Sequence, residues 1–325
     1  MKTFDEISEI VSFEIDKLQW TAEPRGLYEP IEYVLSMGGK RIRPVLTLMA
    51  CNLFSDNLED AIAPALGIEV FHNFTLLHDD IMDKAEMRRG KPTVHKKWND
   101  NTAILSGDVM QIASYQLIAK TNTLYLKQVL DLFSQTAMEI CEGQQYDVDF
   151  EMRDDVSVDD YIEMIRLKTA VLLACALKTG ALIGGSNNEN AQLLYDFGIN
   201  LGLAFQLKDD FLDVYGNEAT FGKKIGGDII CNKKTYMLIQ LIELAKGNDA
   251  LELKKWLEIS DENKFNDKIL AITTLYNKLG IKAKCEDTMY EYYQKAVANL
   301  DSLHVFDNKK QELRCLAENL MCRIN

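Results

Sequence analysis

Proline is scarce in this chain and confined to one end. Of 325 residues only Pro24, Pro30, Pro44, Pro64 and Pro92 are proline. The stretch from Thr93 to Asn325, rich in Leu, Ala, Ile, Lys and Glu, lacks the turn punctuation that a β-sandwich or barrel needs. Cysteine is present but unpaired in pattern: Cys51, Cys141, Cys175, Cys231, Cys285, Cys315 and Cys322 are odd in number and show no short double spacing of the zinc-binding kind. Reduced thiols in a cytoplasmic protein are the plain expectation. Positive charge is in deficit, with 36 Lys and Arg against 50 Asp and Glu and a formal charge of −14. Like charges repel, so a nucleic-acid backbone is excluded as the main partner. No apolar run approaches the ~20 residues of a membrane helix, and Met1–Glu6 have neither the basic nor the apolar region of a secretory signal. A soluble chain without stable membrane insertion is expected. There is no low-complexity tract, linker or repeat, so residues 1–325 read as a single domain.

What is present is helix-forming. With 47% apolar residues the chain can bury a real core, and the fold class is all-α. The apolar positions Phe4, Ile7, Ile10, Val11, Ile15 and Leu18 predict an amphipathic helix over 4–20, interrupted by the stretch from Pro24 to Pro30. Further helices are predicted over 27–36, 44–55, 58–83, 101–118, 123–147, 157–180, 189–215, 233–246, 250–258, 265–279, 283–300 and 309–322. The region after Lys246 carries no motif.

Two connections stand apart: Gly38-Gly39-Lys40-Arg41-Ile42-Arg43-Pro44 and Met87-Arg88-Arg89-Gly90-Lys91-Pro92-Thr93. Both set clustered cations on flexible backbone in a strongly acidic chain. Pro44 suits the first turn of a helix, so backbone donors and basic side chains could converge there on one anion.

Two acidic clusters carry the most information, Asp79-Asp80-Ile81-Met82-Asp83 and Asp209-Asp210-Phe211-Leu212-Asp213. Their spacing is the same, and at ~100° per residue the three carboxylates of each fall within about 100° of one helix face. The helices that carry them are otherwise apolar and belong in an interior. Two such charges ~6 Å apart repel by roughly 3 kcal/mol at an effective dielectric near 20, a penalty that a divalent cation removes. Oxygen ligands on stiff helices suit Mg2+ completed by water and phosphate oxygens, which makes diphosphate the natural third component. His72, two turns before Asp79, and Gln206 fall on the same helix faces as the two triplets. Gly198 and Gly202 would let a neighbouring helix approach closely.

These segments resemble the trans-isoprenyl diphosphate synthases, the polyprenyl synthetase family, from about Tyr28 to Tyr236. The resemblance rests on the two basic loops, the two aspartate clusters, Gly143-Gln144-Gln145-Tyr146-Asp147, Lys168-Thr169, Gly222-Lys223-Lys224-Ile225-Gly226-Gly227-Asp228-Ile229 and Lys233-Lys234-Thr235, all in the family's order. It implies an all-helical, isoprenoid-synthase-type bundle that forms a homodimer, each subunit enclosing a deep central cavity with the two aspartate motifs facing across its mouth. Three Mg2+ ions would hold an allylic diphosphate: Asp79 and Asp83 would bind two, Asp209 the third, with Asp80, Asp210 and Asp213 in support. Arg88, Lys168, Lys223 and Lys233 would contact the same diphosphate. Lys40, Arg43, His72 and Arg89 would hold the diphosphate of isopentenyl diphosphate. The Lys168 main chain, Thr169 and Gln206 would direct oxygen dipoles at the allylic cation.

In the family, elongation stops at bulky side chains below the first aspartate motif, here Phe74 and Thr75. Helical spacing places Thr75 one turn below Asp79 but Phe74 some 140° round from it, so the role of Phe74 comes from the resemblance alone. It implies a short-chain enzyme making geranylgeranyl or farnesyl diphosphate from dimethylallyl, geranyl or farnesyl diphosphate. The first motif lacks the two-residue insertion of many bacterial farnesyl synthases, which favours the twenty-carbon product. Two alternatives share the motifs. A class I terpene cyclase does not usually need the Lys40 and Arg43 loop, and its Asn/Ser/Glu metal pattern is absent at Asp209; a non-catalytic regulatory subunit commonly loses one aspartate motif, and this chain has both.

Overall fold

The structure, a computed structural model, describes residues 1–217 and 225–321. The chain runs through α1 (Phe4–Asp16), α2 (Arg25–Ser36), α3 (Ile42–Phe54), α4 (Glu59–Met82), a hairpin of β1 (Met87–Arg88) and β2 (Lys91–Pro92), α5 (Val94–Lys97), α6 (Asp100–Ile118) and α7 (Thr123–Glu151). It continues with α8 (Val158–Ile165), a π-helical turn (Arg166–Ala170), α9 (Val171–Ile183) and α10 (Asn188–Tyr215). After the undescribed segment come α11 (Gly227–Ile230), α12 (Tyr236–Leu244), α13 (Asn248–Leu257), α14 (Phe265–Lys278), α15 (Ile281–Asp301) and α16 (Asp307–Met321). The all-α expectation holds.

Two compact units divide the chain. The first comprises residues 1–135, 175–195 and 303–313, and the second 136–174, 196–302 and 314–325. In the first unit α4 packs against α6, α3, α2 and α1. Helix α1 starts at a capping box between Thr3 and Glu6 and buries the single stripe Ile7, Val11 and Ile15. It stops at Asp16 rather than residue 20: Lys17 is its C-cap, and Leu18, which continued helical spacing would place on that stripe, is only half-buried. Helix α4 runs through Pro64, its sixth residue, where the missing N–H forfeits the backbone bond to Asp60, and buries Phe71, Phe74 and Leu77 on its way to the aspartates.

In the second unit α12 packs on α8, α14 and α15, around a core that includes Tyr161, Phe211, Ile272 and Tyr276. The helix predicted over 157–180 is interrupted: Val171 N–H bonds the carbonyl of Arg166, five residues back. Such widened turns recur at functional sites, and this one carries Lys168 and Thr169. Its neighbours are glycines for a steric reason. A Cβ on Gly143 would strike the backbone nitrogen of Lys168, and one on Gly202 would lie 2.6 Å from the Cα of Ala170. The close approach read at Gly202 is therefore real.

Candidate active site

In the first unit, the aspartate cluster lies at the carboxyl end of α4, where the helix dipole opposes further negative charge. Arg88 answers it. Its Nε donates to both carboxylate oxygens of Asp80 at 2.9 Å, and its Nη2 lies 2.7 Å from Asp80 Oδ1 and 3.9 Å from Asp79 Oδ2. Burial opposes the Arg88 charge, but Asp80, Asp79 and Asp83 outweigh it and raise the guanidinium above its ordinary range. Asp80 is buried, Asp79 half-buried and Asp83 exposed.

Arg88 is aimed by its hairpin, a feature that sequence periodicity did not predict. Met87 pairs with Pro92 and Arg88 with Lys91, leaving Arg89 and Gly90 as a two-residue turn. Both have positive φ, 51° and 74°, as a type I′ turn requires. Arg41, just before α3, is also left-handed at φ 46°. A left-handed non-glycine costs on the order of 1 kcal/mol, and both basic loops carry such an arginine.

The two basic loops meet. Arg89 Nη1 donates to the carbonyl of Gly38, and a Cβ on Gly39 would lie 2.7 Å from the Arg89 Cζ. Beside them Arg43 Nη1 lies 3.1 Å from His72 Nε2. Burial, then Arg43, Arg89 and Arg88, hold the His72 imidazole well below its usual range, so it is neutral and accepts this bond. Burial also brings Arg43 down to about 10 against the pull of Glu69. Arg43, His72 and Arg89 are thus brought together; Lys40 is exposed at the end of the same loop.

One level below the aspartates, Phe74 is buried edge-on against Phe71 (5.3 Å between centroids) and His78 (4.8 Å). Phe71 continues to Phe133 and Phe133 to Tyr115. The Thr75 hydroxyl donates to the His72 carbonyl at 2.8 Å.

In the second unit, the aspartates occupy the last turns of α10, with Asp210 and Asp213 buried and Asp209 half-buried. Asp210 accepts from the Tyr161 hydroxyl and, at 3.1 Å, from Gln206 Nε2. That fixes the Gln206 amide so that its Oε1 accepts from Thr169 Oγ1 at 3.2 Å. Burial and then Asp228 push the Asp210 carboxyl up to about 7. Asp213 Oδ2 accepts from Asp228 N at 3.1 Å. Lys168 Nζ lies 2.6 Å from Asp147 Oδ2, and Lys233 Nζ 3.7 Å from the same oxygen. Burial works to raise the Asp147 carboxyl, but Lys233 and Lys168 prevail and lower it. Lys223 lies outside the described residues.

Tyr161 and Asp147 were not singled out in the sequence as site residues. Asp147 closes the Gly143-Gln144-Gln145-Tyr146-Asp147 segment, and Tyr161 sits seven residues before Lys168, two turns away on an ideal helix, which is the signal each offered.

An all-α chain with paired aspartate segments on apolar helices and two arginine loops joined at Gly38 has the build of an isoprenoid-type diphosphate enzyme. A family model described as polyprenyl synthetase matches residues 24–275. The chain is 40% identical over 264 residues to a geranylgeranyl diphosphate synthase of Methanosarcina mazei, covering 78% of this chain and 82% of that one. It is 35% identical over 324 residues to a geranylgeranyl diphosphate synthase of Sulfolobus acidocaldarius, covering 97% and 96%. A crystal structure of a geranylgeranyl pyrophosphate synthase superposes with a TM-score of 0.94 at 46% identity over 100% of both chains. The chain belongs to the polyprenyl synthetase family, and its activity is that of a prenyltransferase, a short-chain trans-isoprenyl diphosphate synthase. Among the described residues no helix is long and apolar enough to cross a membrane.

Proposed function

We propose that this synthase makes geranylgeranyl diphosphate from isopentenyl diphosphate and an allylic primer, dimethylallyl, geranyl or farnesyl diphosphate, in a Mg2+-dependent reaction. The observation that carries the product length is the burial of Phe74 against Phe71 and His78, an aromatic level set just below Asp79. The two relatives named above are geranylgeranyl diphosphate synthases, which supports this length, while a geranylfarnesyl diphosphate synthase of Natronomonas pharaonis is also 37% identical. The whole chain acts as one catalytic domain in a cytoplasmic homodimer. Exposed Ile104, Leu105 and Ile112 on α6, at 43%, 56% and 61%, support a subunit contact there.

The donor set fits Mg2+. Among the described residues no three His, Cys, Asp or Glu side chains close on one point, so neither cluster is an all-protein cage. Mg2+ instead takes one or two carboxylates and completes its shell with water and diphosphate oxygens, the set that Asp79, Asp83 and Asp209 offer. When bound, the ions neutralise the charge that develops on the departing diphosphate. Asp79 and Asp83 would hold two ions and Asp209 the third, with Asp80, Asp210 and Asp213 in support. Arg88, Lys168, Lys223 and Lys233 bind the allylic diphosphate. Lys40, Arg43, His72 and Arg89 bind that of isopentenyl diphosphate.

The allylic carbon–oxygen bond breaks, and its electron pair leaves with the diphosphate. The double bond of isopentenyl diphosphate then attacks the cation to form the new carbon–carbon bond, and the released diphosphate removes a proton from the adjacent carbon. No protein base is used. The Lys168 carbonyl, Thr169 and Gln206 turn oxygen dipoles towards the cation, and apolar walls exclude water.

Chromatography of the product formed from isopentenyl diphosphate with each primer tests this. A twenty-carbon diphosphate is expected with Mg2+ and none with chelator; a cyclised hydrocarbon, or no turnover at all, would overturn it. Phe74→Ala should lengthen the product, and an unchanged length removes Phe74 as the stop.

A further inference from the structure

Behind the arginines of the first unit lies a buried acid to which the reaction above gives no role. Glu69 sits on α4 three residues before His72, on the same side of the helix, and is 4% exposed. Its Oε1 accepts from Asn73 Nδ2 at 3.1 Å. Its Oε2 is buried with no hydrogen-bond partner among the described residues, and so is the Nε–H of Arg43. Arg43, Arg89 and Arg41 all act on the Glu69 charge. An acceptor and a donor of opposite charge, both buried and both lacking a bond in one small cluster, are complementary: a direct contact or one bridging water would satisfy both.

We propose that Glu69 is a positioning residue for isopentenyl diphosphate, holding Arg43 from behind and through Arg43 setting the tautomer of His72. Arg43 can only donate, so its Nη1 contact makes His72 Nε2 the acceptor and places the ring proton on Nδ1. The imidazole then has an N–H to offer an anion while staying uncharged. Without Glu69 no acid acts on the Arg43 charge, and Arg43 has no anchor on its Nε side. Glu69 touches no substrate in this arrangement. Burial favours its protonated form and Arg43 opposes that, the balance expected of a carboxylate shared with a guanidinium.

The proposal rests on the reading of Arg43, His72 and Arg89 as the isopentenyl diphosphate site, and the test separates the two. Initial rates are measured with Mg2+ for wild type, Arg43→Gln, Glu69→Gln and the double variant, varying each substrate in turn. Glu69→Gln should raise KM for isopentenyl diphosphate about tenfold, the loss expected when a charged group loses its hydrogen-bonded support. KM for the allylic primer should move by less than about twofold, because the partners of that diphosphate are untouched. The double variant should match Arg43→Gln alone, since Glu69 acts through Arg43. If Glu69→Gln is too unstable to assay, Glu69→Asp retracts the same charge and should raise the same KM selectively by a smaller factor.

An Arg43→Gln variant with unaltered KM for isopentenyl diphosphate would remove the site reading and the inference with it. Where Arg43→Gln raises that KM but Glu69→Gln does not, or where both KM values rise together, Glu69 alone loses its role.

Discussion

The two aspartate segments have the same spacing and opposite surroundings. At the end of α4, Asp80 is answered by a full cation, the guanidinium of Arg88, while Asp83 stands in solvent. At the end of α10, the buried Asp210 is met by neutral donors, the hydroxyl of Tyr161 and the amide of Gln206, and its carboxyl is pushed up to about 7. Identical spacing therefore fixes which carboxylates share a face but not how their charge is managed. The first segment balances charge with charge; the second reduces it by burial and holds its geometry through a chain from Tyr161 to Thr169.

The largest expected effect treats the segments alike. Asp79→Asn and Asp209→Asn should each lower kcat by about a thousandfold at saturating substrate, since each removes support for charge that develops on the leaving diphosphate. Steady-state rates that fall in one variant only would show that the segments do not share the chemistry.

Next, the segments should part company in stability. In chelator, Arg88→Gln should cost about 3 kcal/mol, because it strands the nearly buried Asp80 carboxylate. Mg2+ with diphosphate should restore much of that loss. Tyr161→Phe should cost about 1–2 kcal/mol, the price of one buried hydrogen bond to a charged or shared group. Denaturant unfolding at low and high salt discriminates further: the Arg88 deficit should shrink with ionic strength and the Tyr161 deficit should not. Equal salt dependence would dissolve the contrast.

The smallest effect is one of sign with pH, measured as unfolding free energy in chelator. His72, in the first unit, is depressed in the folded chain below its ordinary 6.5 by burial and its arginine neighbours, so unfolding takes up a proton as pH falls through that value. Its contribution to stability is therefore lost on acidification, and His72→Gln should flatten that slope. Asp210 is raised from 3.8 to about 7, so unfolding releases a proton between those values and stability falls as pH rises across them. Asp210→Asn should remove that fall. Slopes of the same sign at both positions would contradict the contrast.

Helix content was legible because apolar periodicity persists over long proline-free stretches, and most predicted helices end within a few residues of those observed. The hairpin at Arg88 was not, since two-residue strands have no periodicity and a left-handed Arg89 leaves no mark in composition. The π-helical turn at Lys168 was equally silent, because one extra residue in a turn changes hydrogen bonding and not residue type. The carboxylate triplets could be read from spacing within one helix. Their partners Arg88 and Tyr161 come from other elements, and only tertiary structure delivers those; the unpartnered oxygen of Glu69 is of the same kind.

The most direct measurement is the number of Mg2+ ions bound per subunit, by calorimetry and elemental analysis, with and without an allylic diphosphate analogue whose leaving oxygen is replaced by sulfur. Carboxylates that grip diphosphate through shared ions should hold three with the analogue and bind the analogue weakly in chelator. Tight analogue binding without metal, or the same ion count when the analogue is absent, would contradict that grip.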